Sequence, residues 1–171
     1  MNPRFWHILG RVIRRLTPFG ITISLVIVSI TPIYIPGYPG VVPLLTLTGV
    51  YHWAVYKPEL LPTYAVFFVG LLQDMLHGLP IGVNATVMLL VYGIVTSQNR
   101  FFFKKSFPVI WIGFGILLAG SSFVTWIFMS VLSNAIIEPT SVYFQYVVTI
   151  GFYPALAWCL LRWQRVVLKQ V

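Results

Sequence analysis

The chain has 171 residues, of which 58% are hydrophobic and only 8% charged, against roughly a quarter charged in an average soluble domain. A water-soluble fold of this size cannot bury that much apolar surface, whereas a bilayer accepts it on the outer faces of helices, so the composition excludes a soluble enzyme and predicts an all-α membrane protein. The net charge of +8 does not signal nucleic acid, because the cations form short clusters separated by long uncharged runs, the distribution of topology determinants and of contacts with anionic membrane lipids.

In chain order, residues 1–16 come first. Phe5, Ile8, Leu9, Val12, Ile13 and Leu16 recur at helical spacing, with Arg4, His7, Arg11, Arg14 and Arg15 largely on the other side. This predicts a basic amphipathic helix on the inner membrane face, and an uncleaved anchor in place of a signal peptide, since the following apolar run is long and lacks a small-residue cleavage site. Residues 17–161 then hold six apolar segments, at 17–35, 41–56, 62–76, 83–96, 107–132 and 142–161. The second, third and fourth are short, reaching roughly 22–24 Å against a hydrocarbon core of about 30 Å. Residues 162–171 form a basic cytoplasmic tail. Cys159, the sole cysteine, makes no internal disulfide and reads as a small core residue in an apolar run.

The charges test the span count independently. With the N-terminus inside, the cytoplasmic parts are the N-terminal helix, the loop with Lys57, the loop with Arg100, Lys104 and Lys105, and the tail with Arg162, Arg165 and Lys169. These hold all eleven Lys and Arg. The outside loops at 36–40, 77–82 and 133–141 hold none, which predicts six spans with both ends in the cytoplasm. The rival for the second and third segments is a re-entrant hairpin. It would put Lys57 and Glu59 inside the hydrocarbon, where ionised groups are costly. Tyr34, Tyr38, Tyr51, Trp53, Tyr56, Trp158 and Trp163 fall near the expected interfaces, where amphipathic rings prefer to sit.

Asp74 is the only ionised residue inside an expected span. Gly70, Gln73, Asp74 and His77 share one helical face by their spacing of three and four, and that face turns away from lipid. Three readings of Asp74 stand side by side. It ties helix ends together, accepting hydrogen bonds from the start of the next helix or from Asn84 or Thr86 across the turn that Gly78, Pro80 and Gly82 permit. It is a ligand for an ion or substrate. It meets a partner. The tie is preferred, because a carboxylate near a helix N-terminus is electrostatically favoured. Small residues mark expected helix packing: Gly20 and Ser24 on the first span, and Gly115, Ala119 and Ser122 on the fifth. No catalytic, metal or cofactor motif is present. The Gly120-Ser121-Ser122 triplet resembles a serine site only superficially, and three acids and three histidines offer a membrane enzyme acting on lipid-linked precursors few parts.

The run from Pro58 to Asn84 resembles the family of rod shape-determining protein MreD. The family's loose signature is read here as Phe67, Gly70-Leu71, Asp74, Gly78 and Gly82. Chain length, the span layout and the basic tail agree with it. The resemblance implies a non-enzymatic inner-membrane protein required for rod shape. It implies partners too: an MreC-like bitopic protein, a RodA-like glycosyltransferase with its transpeptidase, and indirectly MreB filaments. The implied fold is similar to the substrate-binding component of energy-coupling-factor vitamin transporters. The residues are compatible with that role, since a protein with almost no soluble mass meets partners through helix flanks and short loops, and the resemblance thus implies a scaffold of a cell-wall synthesis complex. The alternative is a substrate-binding transporter component, with an outward pocket lined by Asp74, His77, Asn84 and aromatics.

Overall fold

The computed structural model describes residues 17–30, 42–98, 105–134 and 139–168. The expected N-terminal helix with Arg11, Arg14 and Arg15, the Pro-Gly turn at 36–40, and Arg100 and Lys104 lie outside the described residues. Those that are described form six α-helices and no strand: α1 (Thr17–Ser29), α2 (Leu45–Tyr56), α3 (Thr63–His77), α4 (Val83–Ser97), α5 (Phe107–Ser133) and α6 (Pro139–Leu168), with a single 3-10 turn at Pro58–Leu60. Two of them, α5 and α6, are long and apolar enough to cross a membrane.

Local chemistry sets several of these ends. Pro62 in an extended conformation precedes α3, and Pro108 sits in the first turn of α5, where a missing N–H costs nothing. Asn134 closes α5 in the left-handed region, at φ 49°, a conformation that its short polar side chain tolerates. The segment 42–44 is not helical, so α2 begins at Leu45, later than its apolar run does. At the other end of the chain α6 continues past 161 to Leu168. The apolar run stops there but the helix does not, because arginine is a good helix former. Arg162 also lies over the Trp158 ring, 5.5 Å from its centre.

The centre of the bundle is α2. Every residue from Leu45 to Val55 is buried, Thr46, Thr48 and His52 among them, and a helix covered on all sides belongs inside other helices. Tyr51 donates to the Ile110 carbonyl of α5 at 2.9 Å, and its ring packs with Phe114 and Tyr153. On the α1 side, Ser29 and Thr46 hydroxyls meet at 3.2 Å. Gly49 leaves room for Leu25, whose Cδ1 would lie 2.6 Å from an added Cβ. The shortness of α2, about 18 Å, is thereby explained: its ends need not reach the lipid surfaces because protein surrounds it. A connection held at both ends supports it. Thr149 and Gln145 of α6 take the Leu44 N–H (3.0 Å) and donate to the Val42 carbonyl (2.6 Å).

One proline is answered across the α5–α6 contact. Pro154 lies inside α6 and has no N–H to offer the carbonyl of Ile150, four residues back. That carbonyl instead accepts from the Trp111 indole of α5 at 3.2 Å. Gly115 brings the two helices close, with Ile150 Cδ1 3.0 Å from where its Cβ would be.

Outer faces are apolar. Only 33% of the apolar window of α5 and 22% of that of α6 is buried. A core helix of a soluble protein would be mostly covered, and neither helix is near the N-terminus as a signal sequence would be. Cys159 is on this outer side of α6. It is not the core residue that its apolar surroundings predicted, because those surroundings face outward too.

Candidate functional site

The tightest pair in the bundle is α3 with α4, joined by the short turn at 78–82. Gly78 stands at φ 63° and Gly82 at φ 106°, both in the region where a side chain is strained. The first ends α3 in a Schellman arrangement, with Leu79 N–H on the Asp74 carbonyl (3.0 Å) and Gly78 N–H on the Met75 carbonyl (3.5 Å).

Asp74 then serves the next helix with its side chain. Its carboxylate is fully buried. Oδ2 accepts from Gly82 N–H at 2.8 Å, Oδ1 from Asn84 N–H at 2.9 Å, and Ala85 N–H lies 3.5 Å from Oδ2. The remaining first-turn donors close on backbone carbonyls, Val83 on Pro80 (3.3 Å) and Thr86 on Gly82 (2.9 Å). A helix start ordinarily leaves its N–H groups orphaned, and out of water that is expensive. Here one carboxylate takes two or three of them, and its charge opposes the positive end of the α4 dipole.

The reach of that carboxylate depends on Gly70, one turn earlier on the same face. A Cβ there would lie 2.4 Å from Ala85 Cα and 2.8 Å from Ala85 N, so the α3 and α4 backbones touch at this point. Without that approach the start of α4 would lie beyond hydrogen-bonding distance of Asp74. Ala85 is thus part of the arrangement, and no feature of an isolated alanine in the sequence announces it. Gln145 and Thr149, which hold the start of α2, were also missed; two polar residues four apart in an apolar helix were the signal available.

The other expected site residues separate into two groups. Gln73, His77 and Asn84 line a cavity of about 230 Å³ between α2, α3, α4, α5 and α6, together with Ser122 and Trp126. Asp74 does not line it. Phe67, two turns before Asp74 on α3, is 40% exposed, and Pro80 and Thr86 are exposed. Among the packing residues, Gly115 and Ser122 are buried whereas Ala119 is exposed. Gly20 and Ser24 are on the outer side of α1, and nothing lies within 4 Å of a Cβ at Gly20. Within this chain α1 packs through Thr22, Val26 and Ser29 instead. Of the expected surface cations, Lys105 and Arg162 are exposed. Among the described residues no group of three His, Cys, Asp or Glu converges as a metal site would require.

An all-helical bundle with lipid-type outer faces, and a buried carboxylate joining two of its helices, defines a helical membrane protein in which the acid is used by the backbone. A family model described as rod shape-determining protein MreD matches residues 11–162, and the chain belongs to that family. It is therefore a bacterial membrane protein of the MreBCD shape machinery, a family of shape-determining structural components not known as enzymes. Neither the curated proteins nor the solved structures give a significant match.

Proposed function

We propose that this chain is a non-enzymatic scaffold of the elongation complex, supporting peptidoglycan synthesis and rod shape through an MreC-like bitopic protein and a RodA-like glycosyltransferase with its transpeptidase. It crosses the inner membrane six times, with both ends in the cytoplasm, and reaches MreB filaments only through these partners. The motif around Asp74 keeps α3 and α4 as one rigid hairpin. The single observation behind the reading is where the apolar surface lies. On α3 Gly70, Gln73 and Asp74 are buried, while Tyr64, Phe67, Phe68 and Met75 are 40–69% exposed. A protein with so little aqueous surface meets other proteins through such flanks.

Photocrosslinking residues placed at Phe67 and Met75 on α3 and at Ile116 on α5, in native membranes, test this. An adduct with an MreC-like or RodA-like protein from one flank and not the others is the expected result. Adducts with lipid alone, or co-purification with transporter ATPases, would overturn it. No observation favours the transporter alternative, since the Asp74 oxygens are held by backbone N–H groups.

A further inference from the structure

Three buried polar atoms at the cavity have no hydrogen-bond partner: Gln73 Oε1, His77 Nε2 and Ser122 Oγ. Gln73 is 2% exposed and Ser122 7%. Left alone in an apolar interior, each such atom carries a desolvation penalty. The His77 tautomer follows from its other nitrogen. Nδ1 lies 2.9 Å from the Gln73 carbonyl, which can only accept, so in the neutral ring Nδ1 holds the proton and Nε2 is an acceptor. The cavity therefore offers two acceptors and one hydroxyl. The two acceptors need a donor, and the Ser122 hydroxyl can donate or accept. No Lys, Arg, Asp or Glu lines the cavity, so the group it takes is uncharged, since a bare charge would be buried without a counter-ion.

The cavity does not end at the bundle interior. Ser122, Trp126 and Val142 line it and also line a second, lateral groove of about 380 Å³ between α5 and α6. Ala119, Phe123, Tyr143 and Tyr146 complete the groove, and its outer rim belongs to the apolar flank of the molecule. The lateral groove thus borders the cavity that holds the three unpartnered polar atoms, with Ser122, Trp126 and Val142 as the wall they share.

We propose that this cavity and groove bind a membrane amphiphile with an uncharged, hydroxyl-bearing head. A head hydroxyl donates to Gln73 or His77 and accepts from the Ser122 hydroxyl, and a single apolar chain lies between α5 and α6. Acylglycerols and long-chain isoprenoid alcohols share this chemistry. The inference stands on the cavity and not on the choice of protein partners.

The test uses the full chain in a detergent without hydroxyl groups, and a diazirine-bearing monoacylglycerol as the probe. Saturable labelling of α5 and α6 peptides is expected. Unlabelled monoolein, geranylgeraniol or both should compete, and which does so identifies the source of the hydroxyl; oleate, whose head is anionic, should compete at least tenfold more weakly. Ser122→Ala should weaken labelling about tenfold, the scale of one hydrogen bond. Ala119→Phe, at an exposed position, should block the groove while the melting temperature stays unchanged. Labelling that does not saturate, equal labelling of all variants, or oleate competing as well as monoolein would overturn the proposal. So would the absence of labelling, which would leave water as the only occupant of the cavity.

Discussion

Replacing Asp74 with alanine removes an acceptor from Gly82 and Asn84 at 2.8 and 2.9 Å and leaves their N–H groups buried without partners. Hydrogen bonds to a charged group are worth roughly 1.5–3 kcal/mol each and a lost N-cap roughly 0.5–2, so a loss of about 2–4 kcal/mol is expected. It would be read as a lower thermal midpoint and lower folded yield after extraction. Asp74→Asn should lie between, since one amide oxygen survives while the NH₂ group confronts a donor. Gly70→Val should be at least as damaging, because its Cβ has nowhere to go without separating α3 from Ala85. Phe67→Ala, at an exposed position of the same helix, should change stability by less than about 0.5 kcal/mol. That Gly70 and Asp74 share a face was legible from their spacing of four. What met that face was not, because alanine carries no sequence signal and backbone N–H groups carry none at all.

At the scale of the helices, Trp111, Ile150 and Pro154 form a unit that a double-mutant cycle can isolate. Trp111→Phe should cost about 1 kcal/mol by orphaning the Ile150 carbonyl. In a Pro154→Ala background the backbone N–H at 154 can take that carbonyl, so the same Trp111 change should cost measurably less. Equal costs in both backgrounds, measured by chemical or thermal unfolding, would mean that the indole does not replace the missing bond. The order of helices and most of their extents were legible from apolar runs and turn residues. The ends of α2 and α6 were not. Hydropathy reports where lipid-like sequence stops, and a helix stops where its hydrogen bonds do. The all-round burial of α2 was also hidden, since lipid and protein neighbours demand the same apolar residues.

For the molecule as a whole, the cation distribution is the strongest signal of orientation, and it is directly testable. In a Cys159→Ser background, Leu79→Cys should react with an impermeant maleimide on spheroplasts, and Lys105→Cys only after permeabilisation. The reverse pattern would turn the bundle over, and labelling of both would break the six-span count. Most of the exterior is apolar, so composition alone indicated a membrane protein. The cavity at the α3–α4 end was legible only in part. The pocket of the transporter alternative named His77 and Asn84, which line it with the aromatic Trp126, and Asp74, which does not. The contributions of α2, α5 and α6 were hidden because their residues are far apart in the chain.

The support of α2 by Gln145 and Thr149 has a consequence for biogenesis. The start of α2 depends on side chains that the ribosome adds 103 and 105 residues later. A 12-residue helix is too short to partition stably into lipid by itself. The nascent chain must therefore keep α2 sheltered, by the insertion machinery or by a loose assembly of the earlier helices, until α6 has been made. A message truncated before codon 139 would yield a product with most of its apolar sequence and an unfinished centre, a ready substrate for membrane proteases.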